Sequence, residues 1–261
     1  MIDSYRSKEF YSFPILRKYV AKGYVIWCDA KMLNSWQGED FGVKIMYSKA
    51  GVATQILIST SECDLLVDAG DGVLRDLLEV DYRFERLQAI AVTHGHFDHV
   101  GGLWTLLGFL YMIGRTSDLL LITPRSCREV RNIVEGFLDI YAEKMPFQII
   151  VKELSNREKI DIKGMMVQAF SVIHRGLTEV YGVGKRVPAF GYSISYKEQR
   201  IVISGDTGMC RSLTRFARGA DLAILEATVK ERAAKYSQVH LSVEEATKIG
   251  KTAKKFILIH Q

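Results

Sequence analysis

Apolar positions in this chain fall into short runs, and many of these runs end at a glycine, a histidine or an acidic residue. Examples are LLV before Asp68, AIAV before Thr93 and IVIS before Gly205. Short apolar, β-branched runs bounded by turn residues predict buried strands. Longer apolar or amphipathic segments between them predict helices, beginning near Leu103 and spanning about 126–141, 209–218 and 242–254. This alternation of strands and helices predicts an α/β fold.

All six histidines lie in short motifs at the ends of such runs. The densest motif, THGHFDHVGG, contains His94, His96, Asp98 and His99. Imidazole and carboxylate groups suit zinc and neighbouring first-row metals. Alternate residues past a strand project to one side, so His94 and His96 can share one ion, while the other two can face a second. A single histidine is usually solvated or hydrogen-bonded, but a cluster this compact favours a metal site.

This cluster resembles the His-x-His-x-Asp-His signature of the metallo-β-lactamase superfamily. Four further motifs follow the order of that family, namely DLLVDAGDG with Asp68, SVIHRG with His174, IVISGDTG with Asp206 and FILIHQ with His260. Five motifs in order are far more specific than one. The resemblance covers about residues 42–261. It implies that residues 36–261 form the four-layer αββα sandwich of the family.

Residues 1–35 fall outside this pattern and are predicted to be an N-terminal extension. They mix aromatic and basic residues, as in YRSKEFYSFPILRKYVAKGYVIW. Three interpretations stay open for them, namely an extra helix, an oligomer contact or a substrate-facing arm.

The resemblance also implies a set of metal ligands. One ion would be held by His94, His96 and His174, a second by Asp98, His99 and His260, with Asp206 as the bridge. Two ions about 3.5–4 Å apart lower the pKa of a bridging water to about 7, which produces hydroxide at neutral pH. Two zinc ions per chain are expected, with manganese or iron as alternatives. Asp68 would accept the free ring N–H of a ligand histidine, although on its own it could equally be a turn aspartate.

Two later motifs resemble the His-Glu-Ala-Thr and His-Ser-Thr loops of ribonuclease Z and its relatives. They are ADLAILEATV with Glu226 and SQVHLSVEEA with His240. The match is partial, because Leu225 replaces the first histidine and Leu241–Ser242 replace Ser-Thr. The resemblance implies that Glu226 orients His240 and that His240 protonates the leaving oxygen. The residues alone leave a second interpretation, a histidine beside a helix that Ser242–Glu245 cap.

These features predict a dinuclear zinc-dependent hydrolase, and more closely a phosphodiesterase resembling ribonuclease Z. Hydroxide at the metals would attack phosphorus, and the predicted catalytic residues are Asp98, Glu226 and His240. The alternative is a hydrolase of small esters, lactones, thioesters or sulfate esters from another branch, whose easier leaving groups have less need of a general acid. The phosphodiester substrate would be an RNA end or a smaller phosphodiester. The long arm with which the family grips transfer RNA is missing between His174 and Asp206, where only a short hairpin is predicted, at 182–187.

Composition sets the remaining expectations. The chain has 261 residues, is 48% hydrophobic and carries a net charge of +5, which fits one globular domain that attracts an anionic phosphodiester. Its four cysteines show no paired spacing, so a reducing cytoplasm is expected. The longest apolar run, LWTLLGFLYMIG, is shorter than the about 20 residues of a membrane-spanning helix, so no membrane partner is expected. A homodimer stays open.

Overall fold

The computed structural model describes the backbone of residues 16–21 and 24–29, and residues 35–178, 182–231 and 238–261. The chain divides into two compact units, Met1–Ser35 and Trp36–Gln261. In the first unit β1 (Leu16–Ala21) pairs antiparallel with β2 (Tyr24–Asp29). The extra helix considered for this segment is therefore wrong for these residues, and the β-branched and aromatic run YVIW favours a strand instead. That residues 1–35 form an N-terminal extension of the domain stays a prediction.

The second unit contains a seven-stranded sheet in the order β3-β4-β5-β6-β7-β8-β9. The pairs from β4 to β6 are antiparallel, and those from β6 to β9 are parallel. The strands are β3 (Ser35–Gln37), β4 (Phe41–Lys49), β5 (Ala53–Thr60), β6 (Asp64–Val67), β7 (Leu87–Ala91), β8 (Leu119–Pro124) and β9 (Ile149–Leu154).

A six-stranded sheet faces the first. Its strands, in spatial order, are β10 (Lys159–Ile162), β11 (Met165–Ser171), β14 (Phe190–Tyr196), β15 (Gln199–Ile203), β16 (Leu222–Glu226) and β17 (Phe256–Ile259). The last three run parallel. A separate hairpin consists of β12 (Arg175–Thr178) and β13 (Gly182–Arg186). The predicted bounds of 182–187 are wrong, because these residues supply only the second strand and the first lies before them.

Helices cover the outer faces of both sheets. They are α1 (Val73–Leu78), α2 (Phe97–Val100), α3 (Leu103–Met112), α4 (Arg128–Tyr141), α5 (Arg211–Ala217) and α6 (Val243–Gly250). One apolar core fills the space between the sheets, a second lies under α1, α3 and α4, and a third lies under α5 and α6. The predicted four-layer αββα sandwich is thereby confirmed.

Helix α6 is shorter than predicted. It begins with the predicted capping box, in which the Ser242 side chain accepts from the Glu245 N–H. It ends at Gly250, and the predicted end near 254 is wrong, because the N–H groups of Lys254 and Lys255 donate to the carbonyls of Ala220 and Asp221. In the described part of the chain, no helix is both long and apolar enough to cross a membrane.

Candidate metal centre

The candidate ligands lie at one edge of the sandwich, where parallel strands of both sheets end. The loop after β7 carries His94 and His96, and α2 carries Asp98 and His99. His174 follows β11, Asp206 follows β15 and His260 follows β17. All are buried except His96, which is partly exposed. Residues from distant parts of the sequence therefore meet because parallel strands present their carboxyl ends at the same edge.

A first group consists of three histidines whose ring nitrogens converge. Nδ1 of His96 lies 3.0 Å from Nε2 of His94 and 3.1 Å from Nε2 of His174. The other nitrogen of His174 faces the carbonyl oxygen of Val239 at 2.8 Å, so that ring donates there and directs a lone pair into the group. One proton on Nδ1 of His96 could serve only one of these two contacts at a time, whereas a single cation could be bound by all three nitrogens. The group therefore fits a metal ion.

A second group combines Asp98, His99 and His260. Nε2 of His260 lies 3.4 Å and Nε2 of His99 lies 3.9 Å from Oδ2 of Asp98. Nε2 of His99 is buried and has no hydrogen-bond partner among the described residues. A buried polar nitrogen without a partner is costly, and coordination of a metal would satisfy it. This group also fits an ion.

Asp206 lies between the two groups. Its Oδ1 is 3.4 Å from Nε2 of His99, and its Oδ2 is 3.9 Å from Nε2 of His94 and 3.6 Å from Nε2 of His260. Gly205 directly before it has a φ of 59°, a left-handed conformation that favours glycine. This turn and the central position of the carboxylate are what a bridging ligand requires.

On the first sheet, a carboxylate and a threonine fix the histidine rings. Oδ2 of Asp68 accepts from Nδ1 of His99 at 2.7 Å and from the Thr93 hydroxyl at 2.8 Å. The Thr93 oxygen lies 3.1 Å from Nδ1 of His94 and accepts its proton. Both rings thus have Nδ1 protonated and Nε2 free for a ligand role. The position of Asp68 agrees with the predicted support of a ligand histidine, a role that stays a prediction.

On the second sheet, Glu226 is the corresponding carboxylate. Its Oε1 accepts from Nδ1 of His240 at 3.0 Å and from the main-chain N–H groups of Thr207 and Leu241. Its Oε2 accepts from the Thr228 hydroxyl at 2.9 Å, and the Thr228 oxygen lies 2.8 Å from Nδ1 of His260. Glu226 is fully buried, and hydrogen bonds satisfy both of its oxygens. It therefore links His240 to a candidate ligand.

Burial and neighbouring carboxylates shift the pKa values of the histidines in opposite directions. Burial lowers the pKa of His94 well below its usual range and that of His174 to about 4, so both are neutral, as ligands must be. Burial also opposes protonation of His99 and His240, but neighbouring carboxylates outweigh it and raise the pKa of both rings. For His240 the main such partner is Glu226. Burial opposes ionisation of Asp206, but the surrounding histidines hold its pKa well below the usual range.

Residues 64–260 match the family model of the β-lactamase superfamily domain. The chain belongs to this superfamily. Among curated relatives, it is 26% identical to ribonuclease Z of Ignicoccus hospitalis over 75% of this chain and 77% of that protein. It is 28% identical to ribonuclease Z of Clostridium acetobutylicum over 77% of this chain and 78% of the relative. The predicted superfamily and the predicted resemblance to ribonuclease Z are thus confirmed, as is the prediction of a metal-dependent hydrolase.

Solved structures show the same fold. The short form of human tRNase Z aligns with a TM-score of 0.68 at 21% identity, over 84% of this chain and 92% of that structure. The metallo-β-lactamase fold protein YhfI from Bacillus subtilis aligns with a TM-score of 0.66 at 20% identity, over 85% and 87%. At these identities the likeness concerns the fold.

Every site residue predicted from the sequence lies in or against this candidate metal centre. His240 is also close to Asp206, at 3.8 Å, and forms geometric groups with candidate ligands. Sequence reasoning missed the hydroxyls of Thr93 and Thr228 and the carbonyl of Val239. The two threonines stand directly beside predicted site motifs, in VTH and EAT, but threonine is also an ordinary strand residue. Only the structure shows their hydroxyls against the rings.

Proposed function

We propose that this protein is a dinuclear zinc phosphodiesterase of the ribonuclease Z type that acts on RNA. The observation that carries the proposal is the contact of 3.0 Å between Oε1 of Glu226 and Nδ1 of His240, beside the candidate metal centre. The His240 side chain is 15% exposed, so a substrate oxygen can reach it. A positioned histidine with a carboxylate partner is the arrangement of a general acid.

The ligand set supports two metals. One would be held by His94, His96 and His174, the other by Asp98, His99 and His260, with Asp206 shared between them. Nitrogen and oxygen donors without sulfur suit zinc, with manganese or iron as alternatives. When bound, such a pair supplies positive charge to the phosphoryl group and makes water nucleophilic at neutral pH.

The side chains around the metals would handle the leaving group. Because Nδ1 of His240 donates to Glu226, the proton available to a leaving oxygen is the one on Nε2. Burial opposes protonation of His240, but Glu226 outweighs it and raises the pKa of the ring, which favours the protonated form that a general acid needs. The N–H groups of Thr207 and Leu241 hold the carboxylate still, at 2.9 and 3.1 Å. A leaving sugar alkoxide needs such a proton.

The alternative of a small-ester or lactone hydrolase has less use for this pair. Comparing bis(p-nitrophenyl) phosphate with a lactone and a thioester on one preparation separates the two. Preferred cleavage of the phosphodiester supports the proposal, and preferred cleavage of the lactone or thioester contradicts it.

The decisive test is His240→Ala with two phosphodiesters. With an RNA substrate, whose leaving group is an alkoxide, the rate should fall by roughly 10²–10⁴, the usual contribution of general acid catalysis. With bis(p-nitrophenyl) phosphate, whose leaving group needs little protonation, the fall should be far smaller. Elemental analysis should find the metals retained, because His240 is not assigned as a ligand. Equal losses on both substrates with full metal content would contradict the proposed acid.

A further inference from the structure

A groove of about 340 Å³ lies on the outer face of the second sheet, away from the proposed chemistry. The strand register places its polar floor in two rows, because directly paired residues of antiparallel strands point to the same face. One row is Lys159, Gln168 and Ser193, and the next is Met166, Ser195 and Arg200. Arg157, Arg215 and Phe216 complete the walls. The lining combines cations, hydroxyls and an apolar surface.

The cations of this groove form no ion pair with a carboxylate among the described residues. Among the described residues, the ion pairs of lysine and arginine with carboxylates involve other side chains than Arg157, Lys159 and Arg215. The Arg200 guanidinium donates to the carbonyl of Arg218 at the end of α5, so its position is fixed. Asp161, opposite Met166 in the register, is the carboxylate on the same face, and it accepts from the N–H of Gly164. The groove therefore presents a net positive surface.

A stripe of arginines on α5 and directly after it continues this surface. Arg211, Arg215 and Arg218 are spaced four and three residues apart, so they share one face, and all are exposed. They line an adjoining hollow that begins at Met209. No acidic residue occurs in α5, and Arg211 lies in its first turn, where the helix dipole disfavours a cation. Repulsion along the stripe costs stability, and an anionic ligand would offset it.

The stripe begins beside the metal centre. The N–H of Gly208 donates to the carbonyl of Ile173 at 2.8 Å, next to the candidate ligand His174. The Ser212 hydroxyl, in the first turn of α5, donates to the carbonyl of Ser171. At 1.5 Å per residue the helix runs about 10 Å from this point toward the groove, roughly three phosphate-to-phosphate steps along one strand of a double helix.

We infer that Arg211, Arg215 and Arg218, with Arg157 and Lys159 of the groove, form a basic track that binds the phosphodiester backbone of a single-stranded nucleic acid. The track leads the strand toward the metal centre, and Phe216 with Met166 offers an apolar surface to a base. The strand as substrate, and hence RNA, rests on the proposed function. Binding of the strand does not require catalysis, so the two can be tested apart.

The test uses the full metal-loaded protein and a fluorescent single-stranded RNA of about 12 nucleotides, within the site sizes of single-strand binding folds. Anisotropy titrations from about 50 to 200 mM salt compare wild type with Arg211→Gln/Arg215→Gln. Each lost phosphate contact lowers the salt slope of a single strand by about 0.7, which is about fivefold in affinity at 0.1 M salt. The double variant should therefore bind about 25-fold more weakly at 0.1 M salt, with a slope shallower by about 1.4.

The matched control is Arg128→Gln/Lys144→Gln, which removes two exposed cations on α4 and just after it, on the other sheet. Its RNA affinity should stay within about twofold of wild type, since loss of one contact already costs about fivefold. Equal weakening by both double variants, or none by the track variant, would overturn the inference. Should the track variant fail to fold, Arg157→Gln/Lys159→Gln on the sheet should weaken binding in the same way, and unchanged affinity there would also overturn it.

Two further measurements are needed. One compares RNA with DNA, and the other separates this inference from the proposed function. The affinity for a DNA strand of the same sequence should fall by the same factor in the track variant, because RNA and DNA share the phosphate backbone. Unchanged affinity for both strands overturns the inference. Wild-type hydrolysis of bis(p-nitrophenyl) phosphate, measured in parallel, reports on the proposed function alone. Strand binding through the track by a protein without that activity would support the inference and refute the proposed function.

Discussion

Two carboxylate–threonine pairs, Asp68 with Thr93 and Glu226 with Thr228, hydrogen-bond to different kinds of histidine at the site. On the first sheet, Asp68 holds His99 directly and reaches His94 through Thr93. On the second sheet, Glu226 reaches His260 through Thr228. Glu226 also holds His240, which is outside the proposed ligand set. The first carboxylate therefore supports only proposed ligands, whereas the second supports a ligand and the proposed acid.

This difference indicates how the two sheets divide the chemistry. Substitutions at the first pair should weaken metal binding and therefore lower the rate equally for all leaving groups. Substitutions at the second pair should change proton delivery as well, because one buried carboxylate connects both rings. Asp206, which lies between the two groups, should be the residue on which both halves depend.

The largest effect is expected for Asp206→Ala. Removal of the shared carboxylate takes a ligand from both groups and leaves the surrounding histidines without their central negative charge. Elemental analysis should find about two metals per chain in the wild type, as in two-metal hydrolases, and both should be reduced in the variant, with phosphodiester hydrolysis near background. Retention of one ion at full occupancy would show that Asp206 does not bridge.

Glu226→Gln and Asp68→Asn should diverge. Loss of the Glu226 charge lowers the pKa of His240, so the rate with an RNA leaving group should fall by up to about 10²-fold and its alkaline limb should shift to lower pH. The sign follows because the acid must be protonated and a lower pKa releases the proton earlier. Asp68→Asn places an amide N–H or a weaker acceptor against His99, and should instead cost about 10–100-fold in zinc affinity.

Zinc competition with a chromophoric chelator, and pH–rate profiles with alkoxide and nitrophenolate leaving groups, measure this divergence. Asp71→Asn is the matched control, because Asp71 is an exposed neighbour of the same motif. It should behave as wild type in both assays. Identical profiles for Glu226→Gln and Asp68→Asn would remove the distinction between the two pairs.

The threonines should give the next smaller effect. Thr93→Val and Thr228→Val keep the shape of the side chain but leave a ring N–H of His94 or His260 without its acceptor. Zinc affinity should fall by about tenfold in each, the low end of the effect of outer-shell groups. Thr93→Ser and Thr228→Ser keep the hydroxyl and should restore binding. Only Thr228→Val should also change the pH–rate profile, because only Thr228 donates to Glu226.

The site residues of the two sheets also differ in how well the sequence predicts them. The cluster from His94 to His99 is local, one loop and one helical turn, so its composition alone indicates a metal site. His174, Asp206 and His260 lie far apart in the chain, and only the order of a family pattern connects them. The contacts of the Thr93 and Thr228 hydroxyls could not be predicted, because they depend on how the loops after β7 and β16 place each hydroxyl against a histidine ring.

The clustering of arginines and the end of α6 also depend on tertiary structure that the sequence pattern does not contain. The arginines look evenly spread along the sequence, yet strand register and α5 bring Arg157 and Arg215 to one groove. The predicted strands lie close to the observed ones because apolar runs with turn residues are local signals. The end of α6 was misplaced because tertiary hydrogen bonds to Ala220 and Asp221, which no local pattern contains, take the N–H groups of Lys254 and Lys255.

The smallest effect is expected for Asp221→Asn, a carboxylate of the second sheet that touches no histidine. Asp221 accepts from the Arg200 N–H and from Lys254, each at 2.8 Å. Burial opposes ionisation of Asp221, but Lys254 and the Arg200 N–H lower its pKa. Lys254 is 71% exposed, so water screens the pair and the variant should lose no more than about 1 kcal/mol.

The pH dependence of Asp221→Asn completes the contrast with Glu226. Because the folded-state pKa lies below the unfolded value of about 3.9, the contribution is fully present above that value and is lost as the pH falls through the folded pKa. The difference between wild type and variant in urea midpoint should therefore be measurable at about pH 6 and should shrink as the pH is lowered below about 3.9. Zinc affinity and the pH–rate profile should not change. A difference that persists at low pH would assign the effect to the main-chain hydrogen bond, and a loss of zinc would mean that supporting carboxylates on this sheet are not specific to the site.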